Sequence, residues 1–144
     1  MAGDRPYTDS VVVTKTVRAI TPFVLTFGLF TMLHGTKSVG GGFQGGVVVA
    51  AAVVTLAFAF GVGQTWRALD ARLLVGVAAG GLSLFAAVAL ASLGLGGAFL
   101  DAGVYAGLGA DAVVYAVELV EIGIGITVAS VVSLLFFEIA RTEP

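Results

Sequence analysis

The sequence contains no cysteine and a single histidine, His34. The first absence excludes a disulfide framework, iron–sulfur ligation and a thiol nucleophile; the second leaves too few nitrogens for a bis-histidine haem or a zinc site. No cofactor and no tightly bound metal are therefore expected. Charge is scarce as well, with seven Lys and Arg against nine Asp and Glu and a net charge of −2. The basic residues are scattered along the chain, so no nucleic acid is expected as a partner. Neither a nucleophile paired with a base nor a metal cluster can be picked out, which leaves little support for an enzyme.

Apolar side chains fill the space that charge leaves. They make up 58% of the 144 residues, and the mean hydropathy is +1.07. This is a composition for lipid and not for water. Four apolar stretches, about 11–33, 43–62, 73–93 and 113–137, are long enough to cross the bilayer. Each crossing of the hydrocarbon takes roughly 20 helical residues. The breaks at 34–42 (HGTKSVGGG), 63–72 (GQTWRALDAR) and 94–112 carry turn chemistry, the last with many glycines and with Asp101 and Asp111. Strands of alternating polarity are absent, so a closed β-barrel finds no support. The expected fold class is all-α integral membrane, one domain over 1–144 with four transmembrane helices.

The polar N-terminus lacks a small-residue cleavage pattern, so the first span reads as retained and not as a signal peptide. Arg5, Lys15, Arg18, Arg67, Arg72 and Arg141 fall on one side of these spans and only Lys37 on the other. By the positive-inside rule both termini are cytoplasmic, an N-in/C-in arrangement, with Trp66 as an interfacial anchor. Gly41 with Gly45, Gly42 with Gly46, Gly76 with Gly80, and the pair Gly123 and Gly125 have spacings that permit close helix approach. Such spacings also arise by chance in a glycine-rich chain.

Some residues do not belong in lipid. Glu118 and Glu121 lie inside the fourth span, in the run VELVEIGIGITV (117–128), three apart and so on one helix face. A charged carboxylate near a helix centre costs about 2.5 to 3.5 kcal/mol on insertion scales, so the pair must be protonated, paired or facing water. Two readings follow. One glutamate pairs structurally with a basic residue of another helix while the other is wet, or at least Glu121 lines an ion or proton path. Lys15 and Arg18 share a face near the start of the first span; their stems can carry the charge to the headgroups, or Lys15 can reach a carboxylate of a neighbouring subunit. Lys15 lies too near the cytoplasmic side to meet Glu121 easily. Pro22 sits near mid-span, where a missing backbone donor allows a kink.

His34 closes the first span, as an interfacial polar cap or as a proton relay. Gly40, Gly41, Gly42, Phe43, Gln44, Gly45 and Gly46 (GGGFQGG) then open the second. The GxGxxG match within this stretch is no dinucleotide site, because neither a preceding strand nor a downstream acidic residue at the required spacing is present. GTKS (35–38) lacks the earlier glycine of a phosphate loop. The stretch reads as a tight, close-packed re-entry whose polar groups, Gln44 included, need protein or water partners.

The segment VTKTVRAITPFVLTFGLFTML (13–33), His34-Gly35 and the GGGFQGG stretch together resemble the B subunit of Mrp-type multisubunit cation/proton antiporters, the MnhB family. In the fourth span LVEIG (119–123) resembles that family's acidic residue followed by an aliphatic and a glycine, and Glu121 takes the acidic position. The third span and 94–112 match only in type, and Val39 stands where the family usually has proline before the glycine triplet. The resemblance implies a multi-pass subunit of the cell membrane whose partners are other Mrp antiporter subunits and the lipid bilayer, in a complex exchanging cytoplasmic Na⁺ for external H⁺. Na⁺ would be bound only transiently. Sodium-translocating modules of membrane-bound hydrogenases and related respiratory complexes carry equivalent subunits, so those hosts fit too. Two rivals are a purely structural subunit and a stand-alone four-span exporter, although such exporters place their essential glutamate in the first span, where this chain has none.

Overall fold

The computed structural model describes residues 10–35, 40–109 and 111–142. Arg5, Lys37 and Val39 lie outside the described residues. The chain forms five α-helices, α1 (Val11–Met32), α2 (Gly42–Phe60), α3 (Val62–Leu69), α4 (Ala71–Gly94) and α5 (Ala112–Thr142), with a 3-10 turn at Ala102–Leu108. No strand occurs among the described residues. The helices α1, α2, α4 and α5 are each long and apolar enough to cross a membrane. They correspond to the four spans expected from the sequence.

Two details differ from that expectation. The break at 63–72 contains α3, because Val62, Trp66 and Leu69 repeat at helical spacing and give the segment an apolar stripe to pack. Gly61, at φ 100°, supplies the sharp turn out of α2. The last span also continues past 137: at 31 residues α5 is about 46 Å long, more than the roughly 30 Å hydrocarbon core. The extra turns carry Glu138 and Arg141, whose charges need water or each other.

The lateral order of the spans is α1, α2, α5, α4, which is not their order in the chain. Glycines set the contacts. Gly42 abuts the Glu121 backbone carbonyl, and four residues on, a methyl on Gly46 would lie 2.5 Å from the Gly125 carbonyl oxygen. Equal steps on both helices make α2 and α5 parallel neighbours. On the other side of α5, Gly81 of α4 faces Gly123 and Thr127, while Gly28 of α1 and Gly45 of α2 bring those two helices together. Gly76 and Gly80 do not take the packing role their spacing suggested: a methyl on either would meet nothing within 4 Å. Glycine spacing alone does not say which face of a helix turns inward, and on α4 the inward face carries Gly81.

Threonine hydroxyls inside the spans are satisfied by nearby backbone carbonyls, as lipid requires. The hydroxyls of Thr21, Thr26 and Thr55 donate to the carbonyls four residues earlier, at 2.7, 2.8 and 2.7 Å. Helix α1 runs on through Pro22, whose own carbonyl is the acceptor for Thr26. Thr127 reaches across to a neighbouring helix, its hydroxyl lying 2.8 Å from the Gly123 carbonyl and 3.3 Å from that of Ala78 of α4.

At one end of the bundle Phe137 is fully buried against Ala57 and Val62. The Trp66 ring of α3 packs 5.1 Å from Phe137 and lies 4.8 Å from the Arg141 guanidinium. At the other end the 3-10 turn is tied down by Tyr105, whose hydroxyl donates to the Val88 carbonyl at 2.5 Å, and by Ser92, which bonds Ala89 and Ala98. A cavity of about 110 Å³ remains between them, lined by Val88, Leu100, Tyr105, Ala116 and Val120 among others. Phe23 and Phe27 of α1 and Leu73, Leu82 and Leu90 of α4 are exposed, so both flanks of the row require lipid or another helix.

Candidate functional site

The junction of α1, α2 and α5 holds the polar residues that the sequence singled out. It is built by register. Because α2 starts level with the third turn of α5, Glu121 lies beside the first residues of α2, at one end of the membrane-crossing region and not at its middle. The end of α1 arrives at the same place, since α1 and α2 form an antiparallel pair joined by a short connection.

Two glycines clasp the Glu121 side chain and a third meets its main chain. The backbone N–H of Gly35 donates to its carboxylate. A Cβ on Gly35 would overlap the carboxylate, and a Cβ on Gly41 would sit 3.5 Å from Oε1. At Gly42 the obstacle is the Glu121 main chain itself. The carboxylate is thus held between the end of α1 and the start of α2, and its Oε2 is buried without a hydrogen-bond partner among the described residues. Gly41 caps α2 without a side-chain hydrogen bond, which leaves the free N–H groups of the first turn next to an anion. A carboxylate that seemed expensive in a span alone is partly compensated by this helix end.

Glu118 is one turn away, partly buried, and its charge is felt at Glu121. His34 is partly buried and stacks on Phe30 with ring centroids 4.0 Å apart, directly before Gly35. The glycine-rich stretch divides its roles. Gly42, Gly45 and Gly46 are buried, Gly40 and Gly41 are partly buried, and Phe43 and Gln44 point outward, with Phe43 63% exposed.

Lys15 is not brought to this site. It is exposed near the other end of α1, about 25 Å of helix from Met32. Arg18, nearby, lies 5.4 Å from the Phe60 ring. Pro22 falls between the two ends and lines no contact with the glutamates. Among the described residues no group of three or more His, Cys, Asp or Glu is placed to hold a metal ion.

Sequence reasoning found the glutamates and the glycine stretch but missed Gly35 as their partner, and missed Gly28, Met32 and Gly81 as packing positions. A methyl on Gly45 or on Gly125 would strike Met32, so this side chain fills the notch between α1, α2 and α5. These partners follow from how α1, α2, α4 and α5 lie against one another, which periodicity along one helix does not encode.

Comparison with known proteins bears on the same residues. A family model described as "Domain related to MnhB subunit of Na+/H+ antiporter" matches residues 12–134, which takes in all of the junction. A protein of Staphylococcus haemolyticus, provisionally named antiporter subunit mnhB2, is 32% identical over 130 residues, covering 86% of this chain and 90% of that protein. One of the same name from Staphylococcus saprophyticus is 43% identical over 70 residues, 46% of this chain and 50% of that protein.

Proposed function

Because the chain belongs to the family of domains related to the MnhB subunit of Na⁺/H⁺ antiporters, it is a multi-pass membrane component of a transport system, and we propose that it contributes Glu121 to an ion path. In this reading the whole of 1–144 is one MnhB-like unit. It assembles with the other subunits of a multisubunit antiporter that exchanges Na⁺ for H⁺. The observation that carries the reading is a carboxylate with a buried oxygen that has no hydrogen-bond partner among the described residues, at the meeting point of three helices. Intramembrane ionisable groups are expensive, and their commonest use is on ion and proton routes. Glu118, one turn along, adds negative potential that attracts cations to the same place.

The orientation is part of the proposal. Arg18, Arg67, Arg72 and Arg141 gather at the Trp66 end, which is then cytoplasmic, and the Glu121 junction opens toward the outside. The exposed flanks of α1 and α4 provide the faces for partner subunits and lipid.

The glycine clasp supports a second reading. A carboxylate wedged between Gly35 and the start of α2 also fixes how α1, α2 and α5 meet, as a scaffold role requires. Glu121→Gln separates the two, since it keeps the shape and removes the charge. With assembly confirmed by copurification, Na⁺/H⁺ antiport in everted vesicles falls if Glu121 serves the path. Unchanged transport kinetics would leave only the scaffold.

A further inference from the structure

We propose that Glu121 is a proton site: the ion taken up at the junction of α1, α2 and α5 is H⁺ and not Na⁺. The inference deepens the reading above and rests on it for its meaning in transport. Two observations carry it. Sodium, a hard cation, is held by a shell of several oxygen ligands, whereas the contacts found at this carboxylate among the described residues are the Gly35 N–H and the bare Cα of Gly41. These are a donor and carbon. Space is the second point: on the Gly35 side not even a methyl group fits. The α2 N-terminus beside it carries a positive partial charge that stabilises the carboxylate and opposes any bound cation, H⁺ and Na⁺ alike, so it does not choose between them. Two carbonyls near the end of α1, those of Leu29 and Thr31, already accept from Leu33 and His34. Of the carboxylate's two oxygens Oε2 has no hydrogen-bond partner among the described residues, and one acceptor is all that a proton needs.

The groups that tune such a site are few. Glu118 of α5 and His34 at the end of α1 are the nearest titratable groups in sequence and register; Tyr115 of α5 and Asp101, Tyr105 and Asp111 of the α4–α5 connection lie at the same end, α2 carries no titratable side chain, and Arg72, the one charge on α4, lies at the opposite end. Lys37, in the connection between α1 and α2, lies outside the described residues.

Dicyclohexylcarbodiimide, which modifies protonated carboxyls in membranes, tests the assignment. The purified antiporter complex containing this chain is labelled across the neutral pH range, in NaCl or in choline chloride at equal ionic strength. The adduct on the α5 peptide is then read by mass spectrometry. Labelling of Glu121 that falls as pH rises, with the same profile in both salts, is the expected result, and Glu121→Gln removes the adduct. Protection by Na⁺ at constant pH would overturn the proposal in favour of a sodium ligand. Absence of labelling at every pH would overturn it in favour of a permanently charged clasp. Labelling does not depend on turnover. A normal profile combined with unchanged antiport in Glu121→Gln therefore sinks the transport reading and leaves the proton site standing.

Discussion

Replacing Gly46 with alanine puts a methyl 2.5 Å from the Gly125 carbonyl oxygen and 3.0 Å from Val128 Cβ. Neither atom is the loose end of a flexible side chain, so the strain is relieved only by moving α2 away from α5. Restoring ordinary contact takes a shift of about 0.5–1 Å, and a gap of that size forfeits a quarter to a half of each dispersion contact along the interface. Overpacking of this kind costs about 1–3 kcal/mol, against at most about 1 kcal/mol returned by the better helix propensity of alanine. Gly80→Ala is the internal control. Its methyl meets nothing within 4 Å, so only the propensity gain remains. In the purified chain in detergent, heated and followed by loss of the monodisperse species, Gly46→Ala lowers the transition midpoint and Gly80→Ala leaves it unchanged or raises it. Equal midpoints for the two variants would refute the reasoning, because it assigns a loss to one and none to the other for the same chemical change.

Three further expectations concern the rest of the molecule. The absence of native cysteine makes single-cysteine labelling clean: an impermeant maleimide applied to whole cells modifies Asp111→Cys but not Glu138→Cys, and the reverse pattern overturns the cytoplasmic placement of the Trp66 end. Arg141→Ala removes a cation from the face of the single tryptophan, a contact worth about 0.5–1 kcal/mol at an exposed site, and shifts Trp66 emission; an identical spectrum means that the contact is not kept in solution. Tyr105→Phe loses the hydrogen bond to Val88, worth about 1 kcal/mol, and speeds proteolysis between α4 and α5, whereas an unchanged cleavage rate shows that the turn is held by other contacts.

The spans were legible in the sequence because bilayer thickness dictates the length of an apolar run, and turn residues end it. Their lateral order was not legible. Nothing in the composition of the last span says that it inserts between the second and third, and that insertion gives Glu121 its neighbours. The glutamates stood out as misfits in lipid, yet the means of accommodating them, a helix N-terminus and the Gly35 amide, comes from backbone groups that every sequence has. Glycine spacing was informative only in part: Gly42 and Gly46 pack as their spacing permits, while Gly76 and Gly80 face open space. The small amphipathic helix α3 was hidden for a different reason. Its stripe of Val62, Trp66 and Leu69 is short, and the glycines, polar residues and Asp70 around it read as a turn.

The measurement that bears most directly on the role of Glu121 is the initial rate of Na⁺/H⁺ exchange by the assembled complex carrying Glu121→Gln, beside Glu121→Asp and the parent chain. Loss of the ionisable group from an ion path is expected to slow exchange by roughly tenfold or more, equivalent to about 1.4 kcal/mol of barrier, with partial recovery in the aspartate variant. A glutamine variant that assembles fully and exchanges at the parental rate would contradict the account.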